Sequence, residues 1–294
     1  MPVMRDSVIR AIFLLLAMST AACDSAAVPD TCNGSALLCE RPLNQVTLAG
    51  THNSMSNEAE GWQLPNQHFG IERQLADGIR KLGLDIWLDQ DELMLCHGLC
   101  QLGSRPLTDA LQAIAQFMEL QRDAIILIDI EDNADGAAER IVAAFEEAGL
   151  ARFARPMMPG DPWPTLGQMV RDNKRLLVFG TPVEGVPWML PYKEFVWVTD
   201  YATPTTESLT CEARDGFEQN PALLFDLHHS LVDPFPSPES AAIINAGDFL
   251  RYRIARCERE TGQRVNMISV DFHDIGDLIE VVNEHNGVTT PVSE

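Results

Sequence analysis

The chain has 294 residues, 46% of them hydrophobic, and a formal net charge of −22. This length and hydrophobic fraction suit one large domain with a full core better than two small domains. The negative charge argues against a nucleic-acid partner, because no basic surface is available to neutralise phosphates, and against binding anionic membranes by electrostatic attraction alone. It is compatible with a cation site or with an exported, strongly hydrated surface.

The first 23 residues predict an export signal. Two arginines flank the start of an apolar run, residues 11–18, which is too short to span a bilayer as a helix of the mature protein. Small residues then precede Cys23, which resembles a bacterial lipoprotein signal with a lipidated cysteine, although Thr20 stands where leucine is usual. Ordinary cleavage near Ala22 is the alternative. Both interpretations predict an exported protein, either lipid-anchored in the bacterial envelope or secreted.

The cysteine count agrees with an oxidising compartment. Apart from Cys23 the chain has six cysteines, and an even number in an exported protein favours disulfides. The expected pairs are Cys32–Cys39, Cys96–Cys100 and Cys211–Cys257, the first two because they close short local loops. A zinc site is disfavoured, because the spacings fit none of the usual patterns.

Residues 24–40 are small, polar and proline-containing, and predict a tether that ends in a cysteine-closed loop before a domain over residues 41–294. Strands are predicted in order at 46–49, 82–87, 92–97, 124–131, 175–180, 195–199, 222–229 and 267–272. Helices are predicted at 71–78, 107–121, 137–150, 166–171, 240–260 and 278–285. Strands that alternate with helices imply parallel pairing, so we predict a distorted (β/α)8 TIM barrel in preference to a doubly wound sheet.

Polar side chains recur where the predicted strands end. They are His52, Asn53, Asp85, His97, Glu131, His228, His229 and Asp271. In a barrel these ends converge on one mouth, where active sites lie. A single acid at a strand end is usually a satisfied structural group, but several separate ends that carry acids, amides and imidazoles predict one site.

The residue types in this set favour phosphodiester cleavage. Oxygen ligands from Asn53, Asp85 and Glu131 suit a hard divalent cation, calcium or magnesium. His52 and His97 can each act as acid or base near neutral pH. A cation stabilises developing phosphate charge while one imidazole takes a proton and the other protonates the leaving oxygen. No serine stands in a Gly-x-Ser-x-Gly elbow, which disfavours an acyl-cleaving hydrolase.

Several segments, in order and spacing, resemble the X region of phosphatidylinositol-specific phospholipase C. These segments are Thr51-His-Asn-Ser54, residues 74–85, Leu95-Cys-His-Gly98 and Ile126-Leu-Ile-Asp-Ile-Glu131. Residues 161–166, 173–179 and 270–272 are similar to a secreted or anchored phospholipase C-like phosphodiesterase group of bacteria, fungi and plants. The resemblance runs from about Leu43 to Asn286 and implies a distorted β/α barrel.

The resemblance also implies catalytic roles. His52 matches the first catalytic histidine, which assists or receives the proton of the inositol 2-hydroxyl, and His97 matches the general acid toward diacylglycerol. Asp271 resembles the aspartate of the last strand that orients the first histidine. Three further residues are candidates for gripping the inositol hydroxyls: Arg80, Lys174 and His229.

A calcium site is implied by the same resemblance. Asn53, Asp85 and Glu131 match calcium ligands of the metal-dependent branch, with magnesium as the second candidate cation. Trp87 stands where the metal-independent bacterial enzymes use an arginine in place of calcium, which favours metal dependence. Gly83 is a departure, because the animal enzymes have a glutamate ligand at this position.

The leading hypothesis is a calcium-assisted phosphodiesterase of this phospholipase C type. It would act on a phospholipid at a membrane surface and release a cyclic phosphate after internal attack of the inositol 2-hydroxyl. One alternative is a phosphodiesterase on glycerophosphodiesters or other phospholipids. Another is a catalytically idle barrel that binds a head group or glycan, against which His52 and His97 argue, since a binding module needs neither acid nor base. No protein partner can be inferred.

Overall fold

A curled, mostly parallel sheet organises the part of the chain that the computed structural model describes, residues 29–201 and 203–288. Its strands are β1 (Leu48–Thr51), β2 (Lys81–Asp89), β3 (Glu92–Cys96), β4 (Ser104–Pro106), β5 (Ile126–Asn133), β6 (Leu176–Gly180), β7 (Met189–Pro191), β8 (Val196–Val198), β9 (Leu224–His229) and β10 (Met267–Val270). The helices are α1 (Ile71–Asp77), α2 (Leu107–Leu120), α3 (Ala138–Glu147), α4 (Leu166–Arg171), α5 (Tyr192–Phe195), α6 (Pro238–Ile244), α7 (Gly247–Thr261) and α8 (Leu278–His285). The export signal predicted for residues 1–23, with Cys23, lies outside the described residues.

Eight strands form one curled path in the order β7, β6, β5, β2, β1, β10, β9, β8, and neighbours along it pair in parallel. Strands β3 and β4 extend the sheet as an antiparallel hairpin beside β2. The ends of the path, β7 and β8, are joined in sequence through α5 and do not pair in the described structure, which leaves a seam in the barrel. The predicted distorted barrel in a single domain is confirmed.

Strand β5 shows why the sheet forms between two apolar layers. Ile126, Leu127 and Ile128 have at most 1% of their surface exposed. Ile126 and Ile128 pack in the core that includes α2 and α3, whereas Leu127 packs in the separate core that includes β6, β8 and β9 residues. Side chains alternate along a strand, so Leu127 shares its face with Asp129, which lines the cavity described below. A strand buried on both faces is therefore continuously apolar until it reaches the mouth.

The segment before β1 closes the opposite end of the barrel. Cys32, Leu38 and Leu43 are buried in the same core as Leu127. The carbonyl of Cys39 accepts a hydrogen bond from the backbone of α4 (2.8 Å), and the backbone N–H of residue 33 bonds to the carbonyl of residue 123, which precedes β5 (2.9 Å). Residues 29–40, the described part of the predicted tether, thus pack against the barrel.

The helix predicted over residues 240–260 is two helices, α6 and α7, and the expectation of one long helix is wrong. The break falls at Asn245, whose side-chain amide donates to the carbonyl of Asp271 (2.9 Å). Its backbone carbonyl accepts from the N–H of Asp277 (2.9 Å), and the Asp277 carboxylate accepts from the first N–H of α7 (2.8 Å). These bonds replace helical ones and brace the end of β10, a tertiary contact that periodicity does not reveal.

The three expected disulfides are confirmed: Cys32–Cys39, Cys96–Cys100 and Cys211–Cys257. The first lies in the segment that closes the barrel, and the second closes the loop after β3. The third joins a loop residue before β9 to α7. Among the residues that the structure describes, no helix is long and apolar enough to cross a membrane.

Candidate active site

A cavity of about 570 Å3 opens at the carboxyl ends of the strands. Five residues predicted for catalysis or metal binding line it: His52, Asn53, Asp85, His97 and Glu131. They come from the turn after β1, from β2, from the loop after β3 and from β5. Asp271 follows β10 and contacts His52. The fold therefore brings the predicted acid–base and metal-binding residues together from distant parts of the chain, as expected for a barrel.

A sharp turn after β1 presents His52 and Asn53. The backbone N–H of His52 still bonds to the carbonyl of Val270 on β10 (2.9 Å), so the residue is held at the edge of the sheet. Asn53 then adopts a left-handed conformation with φ of 45°, which asparagine tolerates better than most residues. The N–H of Ser54 bonds back to Gly83 on β2 (2.9 Å). The turn is thus pinned from both sides and its geometry is set by the backbone.

Asp271 orients the first imidazole. Its Oδ1 lies 3.1 Å from His52 Nδ1 and also accepts a hydrogen bond from Asn66 Nδ2 (2.9 Å). The next residue, Phe272, has a φ of 48° and bonds through its N–H to the carbonyl of Asn66 (2.7 Å). With the proton on Nδ1 facing Asp271, the Nε2 atom of His52 is left to the cavity.

The side-chain amide of Asn53 lies between both imidazoles and Asp85. In the orientation that satisfies its hydrogen bonds, Oδ1 accepts from His97 Nε2 (3.1 Å) and, when His52 is protonated on both nitrogens, from His52 Nε2 (3.3 Å), while Nδ2 donates to both Asp85 oxygens (3.2 and 3.3 Å). The opposite orientation places Nδ2 at 3.1 Å from His97 Nε2 and turns Oδ1 toward the Asp85 oxygens. Oxygens that face one another in this way need a cation beside them.

The pKa values of the two imidazoles move in opposite directions. Burial lowers the pKa of His52, but the charge and hydrogen bond of Asp271, together with the charge of Asp85, outweigh it, and the net shift is upward. Desolvation lowers the pKa of His97, and the charge of His52 lowers it further. Titratable groups whose environments separate their pKa values are what an acid–base pair requires.

Two carboxylates lie side by side below the imidazoles. Asp85 on β2 and Glu131 on β5 are register partners in adjacent parallel strands. Burial, and then the charge of Glu131, raise the pKa of Asp85 to about 7. The raised pKa means that the protein alone does not offset the burial of these two negative charges and the repulsion between them. A bound cation would offset both.

The donors at this point fit a hard cation. Two carboxylates and the Asn53 amide supply only oxygen atoms, which calcium and magnesium prefer. Within residues 29–201 and 203–288 no group of three or more His, Cys, Asp or Glu side chains is arranged to hold a metal ion. A cation at this point would need the Asn53 amide as its third protein donor. At Gly83 a Cβ atom would lie 3.3 Å from the Thr51 carbonyl oxygen and 3.5 Å from Asp129 Oδ1, leaving little room for a longer side chain. Trp87 also lines the cavity.

The floor of the cavity holds a buried cation that the sequence analysis missed. Lys81 is 2% exposed, and its Nζ lies 2.9 Å from Asp129 Oδ1 and 3.2 Å from Asp226 Oδ2. His228 lines the cavity next to this cluster, with Nε2 at 3.6 Å from Asp226 Oδ2. Strand alternation could have identified Lys81. On β2 it lies two residues before Gly83 and four before Asp85, so all three share one face of the strand.

One wall of the cavity combines cations with aromatic rings. Arg214 donates to the hydroxyl of Tyr201 (3.1 Å), and its guanidinium lies 4.1 Å from the centroid of that ring. Lys193 Nζ lies 4.9 Å from the centroid of Phe217. All four line the cavity. Three of them, Tyr201, Arg214 and Phe217, belong to the irregular segment between β8 and β9, where no periodic pattern marks them in the sequence.

A family model for the PI-PLC X domain, PI-PLC X 1, matches residues 38–286. The chain belongs to this PI-PLC X family. A PI-PLC X domain-containing protein of Arabidopsis thaliana is 29% identical over 274 residues, which cover 84% of this chain and 63% of the relative. An uncharacterized secreted protein of the fungus Arthroderma benhamiae is 26% identical over 62% of this chain and 42% of its own length. The chain thus spans less than two thirds of these two relatives.

Solved PI-PLC structures share the fold. The phosphatidylinositol-specific phospholipase C of Listeria monocytogenes superposes with a TM-score of 0.58 at 17% identity, over 90% of this chain and 97% of that one. A Staphylococcus aureus phosphatidylinositol-specific phospholipase C gives a TM-score of 0.57 at 13% identity, over 86% and 95%. At such low identity the likeness establishes the barrel of this PI-PLC X family member.

The structure places two of the predicted substrate-binding residues away from the cavity. Arg80 Nη1 donates to the carbonyls of Leu75 (2.9 Å) and Ile79 (2.8 Å). Lys174 Nζ donates to the carbonyl of Arg152 (2.8 Å). Both residues precede their strands, β2 and β6, and therefore lie at the amino ends of the sheet, opposite the mouth. Their observed contacts tie loops to the barrel.

His229, the third candidate, does not line the cavity either. It is fully buried, with Nε2 bonded to the carbonyl of Ile244 (2.8 Å) and Nδ1 2.9 Å from Arg253 Nη1. Its neighbour His228 lines the cavity instead. Successive side chains of β9 point to opposite faces, so only one histidine of the pair can reach the mouth.

Proposed function

We propose that this PI-PLC X family member is a phosphoric diester hydrolase of the phosphatidylinositol phospholipase C type. The observation that carries the proposal is the convergence of His52 and His97 on the Asn53 amide, with their pKa values shifted in opposite directions. A binding barrel needs no such pair. The family and the fold support a phosphodiesterase, and the chemistry of the cavity supports this class of reaction.

In the proposed reaction His52 receives the proton of the attacking inositol 2-hydroxyl. Its raised pKa makes it the stronger base of the two imidazoles once it is deprotonated, and Asp271 stabilises the imidazolium that forms. His97 protonates the leaving oxygen of diacylglycerol. The anionic phosphodiester raises the pKa of an imidazole beside it, which favours the protonated form that His97 needs. The product is a cyclic inositol phosphate.

We propose that Asn53, Asp85 and Glu131 hold calcium, with magnesium as the second candidate. The raised pKa of Asp85 and the all-oxygen donor set support a cation there. A bound divalent cation would supply positive charge that stabilises the developing phosphate charge. The protein's own residues orient the imidazoles: Asp271 contacts His52, and the Asn53 amide contacts both rings.

The proposed substrate is a phospholipid met at a membrane surface. Three large apolar side chains at the mouth are exposed: Leu88 by 43%, Leu99 by 62% and Phe235 by 52%. Each stands next in sequence to a residue that lines the cavity. Exposed apolar residues around a site suit contact with lipid. They support a bilayer that lies against the mouth and delivers the head group into the cavity.

We also propose that the protein is exported. Three disulfides suit an oxidising compartment, and one fungal relative is named a secreted protein. Lipid anchoring through Cys23 and simple secretion remain the two forms of this proposal.

The test is hydrolysis of phosphatidylinositol in vesicles, with calcium or with a chelator. Wild type is compared with His52→Ala, His97→Ala and the control His285→Ala, which changes a histidine on α8 outside the cavity. We expect calcium-dependent release of head group, and a loss of roughly 100- to 10,000-fold in each active-site variant but not in the control.

Folded wild type that releases nothing from phosphatidylinositol in either buffer would exclude that substrate. Glycerophosphodiesters and other phospholipids are then tested in the same assay. Activity on them would favour the broader phosphodiesterase, and inactivity throughout would favour a head-group-binding barrel. Full activity of both histidine variants would contradict the proposed acid–base pair.

A further inference from the structure

The loop between β1 and α1 carries two consecutive buried amides, Asn66 and Gln67, which are 1% and 0% exposed. Asn66 Nδ2 donates to Asp271 Oδ1 (2.9 Å), the same oxygen that lies 3.1 Å from His52 Nδ1. Asn66 is also among the residues that line the cavity, although almost none of its surface is open. The loop thus contacts the carboxylate that orients the first imidazole.

The Asp271 carboxylate has few other contacts. The residue is 4% exposed, and its Oδ2 is buried without a hydrogen-bond partner in the part of the chain that the structure describes. His52 and Asn66 both contact Oδ1. The His52 imidazole gains and loses protons near neutral pH, whereas an amide N–H remains a donor throughout that range. Asn66 is therefore the constant partner of this carboxylate.

The main chain of Asn66 is held to the same segment. Its carbonyl accepts from the N–H of Phe272 (2.7 Å), the residue after Asp271, and its own N–H donates to the carbonyl of Ser56 (3.1 Å) within the loop. The backbone and the side chain of Asn66 therefore both bond to the segment that follows β10. A side chain with a fixed backbone can hold its partner in one geometry.

Gln67 fixes the backbone around His52 and Asp271. Its Nε2 donates to the carbonyls of His52 and Val270 (both 3.0 Å). Its Oε1 accepts from the N–H of His273 (3.1 Å). These bonds join the turn after β1 to residues on both sides of Asp271. Gln67 thus sets the separation of the two backbone segments, and Asn66 sets the orientation of the carboxylate between them.

We propose that Asn66 is a positioning residue that holds the Asp271 carboxylate where it accepts the Nδ1 proton of His52. The role of His52 as a base rests on the proposed function, but the contact itself requires no turnover. Without the Asn66 donor the carboxylate can rotate, and the imidazole loses the partner that fixes its tautomer. Outer partners that orient metal-bound histidines are typically worth roughly 10- to 100-fold in activity, and we expect a similar size here.

The test removes the donor and keeps the size of the side chain. Leucine resembles asparagine in size and branching but donates no hydrogen bond, so Asn66→Leu is made in wild type and in Asp271→Asn. The matched control is Asn266→Leu, because Asn266 is 2% exposed and its amide donates to the carbonyls of Asn44 (2.9 Å) and Val46 (3.2 Å), before β1. Thermal unfolding verifies folding, and Asn66→Ala, which adds no bulk, replaces Asn66→Leu if the latter is unfolded.

The first readout is the proton NMR signal of His52 Nδ1–H, assigned by its loss in His52→Ala. A proton held between an imidazole and a carboxylate is shielded from exchange with water and resonates downfield of other imidazole protons. We expect this signal in wild type and in Asn266→Leu. In Asn66→Leu and in Asp271→Asn it should be lost or move upfield.

The second readout is hydrolysis of phosphatidylinositol in vesicles. We expect Asn66→Leu to lower kcat roughly 10- to 100-fold with little change in KM, and Asn266→Leu to leave kcat within about twofold of wild type. In the Asp271→Asn background the added Asn66→Leu should lower kcat by no more than about threefold, because its effect passes through the carboxylate.

An unchanged Nδ1–H signal in Asn66→Leu would overturn the assignment, as would the absence of this signal from folded wild type. An equal loss of kcat in both backgrounds would also contradict it. A higher KM with unchanged kcat would instead make Asn66 a substrate contact and exclude the positioning role. Wild type that hydrolyses nothing would remove the proposed function, and the NMR signal would then decide alone whether Asn66 positions Asp271.

Discussion

Asn53 connects the acid–base pair to the carboxylates. Its amide reaches both imidazoles on one side and Asp85 on the other, so a change in charge at Asp85 is felt at His52 and His97 through one side chain. The amide can face Asp85 with its nitrogen or its oxygen, and a cation favours the second arrangement. This residue would therefore link occupancy of the proposed cation site to the hydrogen bonding of His52 and His97.

His228 and His229 show how far adjacent residues can differ. His228 faces the cavity, whereas His229 is bonded to Ile244 and Arg253 inside the protein. Burial, and then the charge of Arg253, lower the pKa of His229 from 6.5 to about 3. Arg253 is itself buried, and its pKa is lowered to about 9 by that burial. The pair ties β9 to α7 and has a structural role.

Acid should destabilise the protein through His229. The unfolded chain protonates this histidine below about pH 6.5 and the folded chain only near pH 3, so the unfolded state binds one more proton in between. Stability therefore falls as the pH falls through this window, by at most about 1.4 kcal/mol per unit. Urea unfolding at pH 7 and pH 4.5 measures the loss in free energy of unfolding between these two pH values. We expect this loss to be about 2 kcal/mol smaller in His229→Asn than in wild type. The asparagine keeps a hydrogen-bond acceptor for Arg253.

The matched control is His68→Asn, which changes a partly exposed histidine. It should lose stability in acid as the wild type does. An equal acid loss in wild type and His229→Asn would mean that His229 takes up its proton in the folded state.

The loop between β3 and β4 carries both a proposed catalytic residue and a proposed membrane contact. The Cys96–Cys100 disulfide closes it, with His97 at the cavity and Leu99 exposed to solvent. A covalent bond across so few residues limits how the loop can move. The placement of His97 thus depends on a local crosslink as well as on the sheet.

Removal of two of the disulfides should affect stability and activity to different degrees. Cys96–Cys100 lies near the barrel mouth, and Cys211–Cys257 is attached to α7. Cys96 and Cys100 are 4 residues apart, and Cys211 and Cys257 are 46 apart. Loop-closure entropy gives about 2 kcal/mol for the short loop and about 4 kcal/mol for the long one. We expect replacing the second pair by alanine to lower stability more, and replacing the first pair to lower phosphodiesterase activity more.

Urea unfolding and the vesicle assay measure the two effects on the same samples. If the short-loop variant kept full activity, the disulfide would have no part in placing His97. If the long-loop variant were no less stable than the short-loop variant, the entropic account of these crosslinks would be wrong.

Periodicity predicts most of the helices and strands, because each has one or two apolar faces. Helices α4 and α8 have the predicted bounds. The break at Asn245 was not predictable, since it depends on bonds to residues 26 and more positions away in sequence. Arg80 and Lys174 could have been assigned to the correct end of the barrel, because residues that precede a strand lie opposite the mouth.

Site residues that directly follow a strand were predictable from the sequence. Those whose placement depends on which face of a strand is inward, or on how a loop folds, were not. His52, Asn53, Asp85, His97 and Glu131 meet in the cavity as expected. The choice of His229 over His228 required knowing which face of β9 is inward. The residues of the segment between β8 and β9 enter the cavity by tertiary folding alone, and no local pattern marks them.

The net charge of the whole protein bears on how it would meet the proposed substrate, phosphatidylinositol. The chain carries −22, and phosphatidylinositol is itself anionic. Long-range electrostatics therefore oppose binding to vesicles that contain this lipid, and the apolar side chains at the mouth must provide the attraction. This differs from peripheral proteins that bind anionic membranes through basic patches.

Salt should strengthen vesicle binding. Raising sodium chloride from about 10 mM to about 150 mM shortens the screening length from about 30 to about 8 Å and weakens the repulsion. At fixed calcium we expect a larger bound fraction of protein in a vesicle sedimentation assay. Leu99→Asp and Phe235→Asp should reduce binding at both salt concentrations. Binding that falls with salt would indicate a basic contact surface and contradict this account.

The most direct test of the proposed reaction is the identity of its first product. Phosphorus NMR of phosphatidylinositol vesicles with wild-type protein and calcium should show a cyclic inositol phosphate as the first new species, and His97→Ala should form it at least about 100-fold more slowly. A cyclic product requires attack by the substrate's own hydroxyl, the step in which His52 is proposed to take the proton. Direct formation of an acyclic phosphate, or of phosphatidic acid, with no cyclic species at any time would contradict the proposed mechanism.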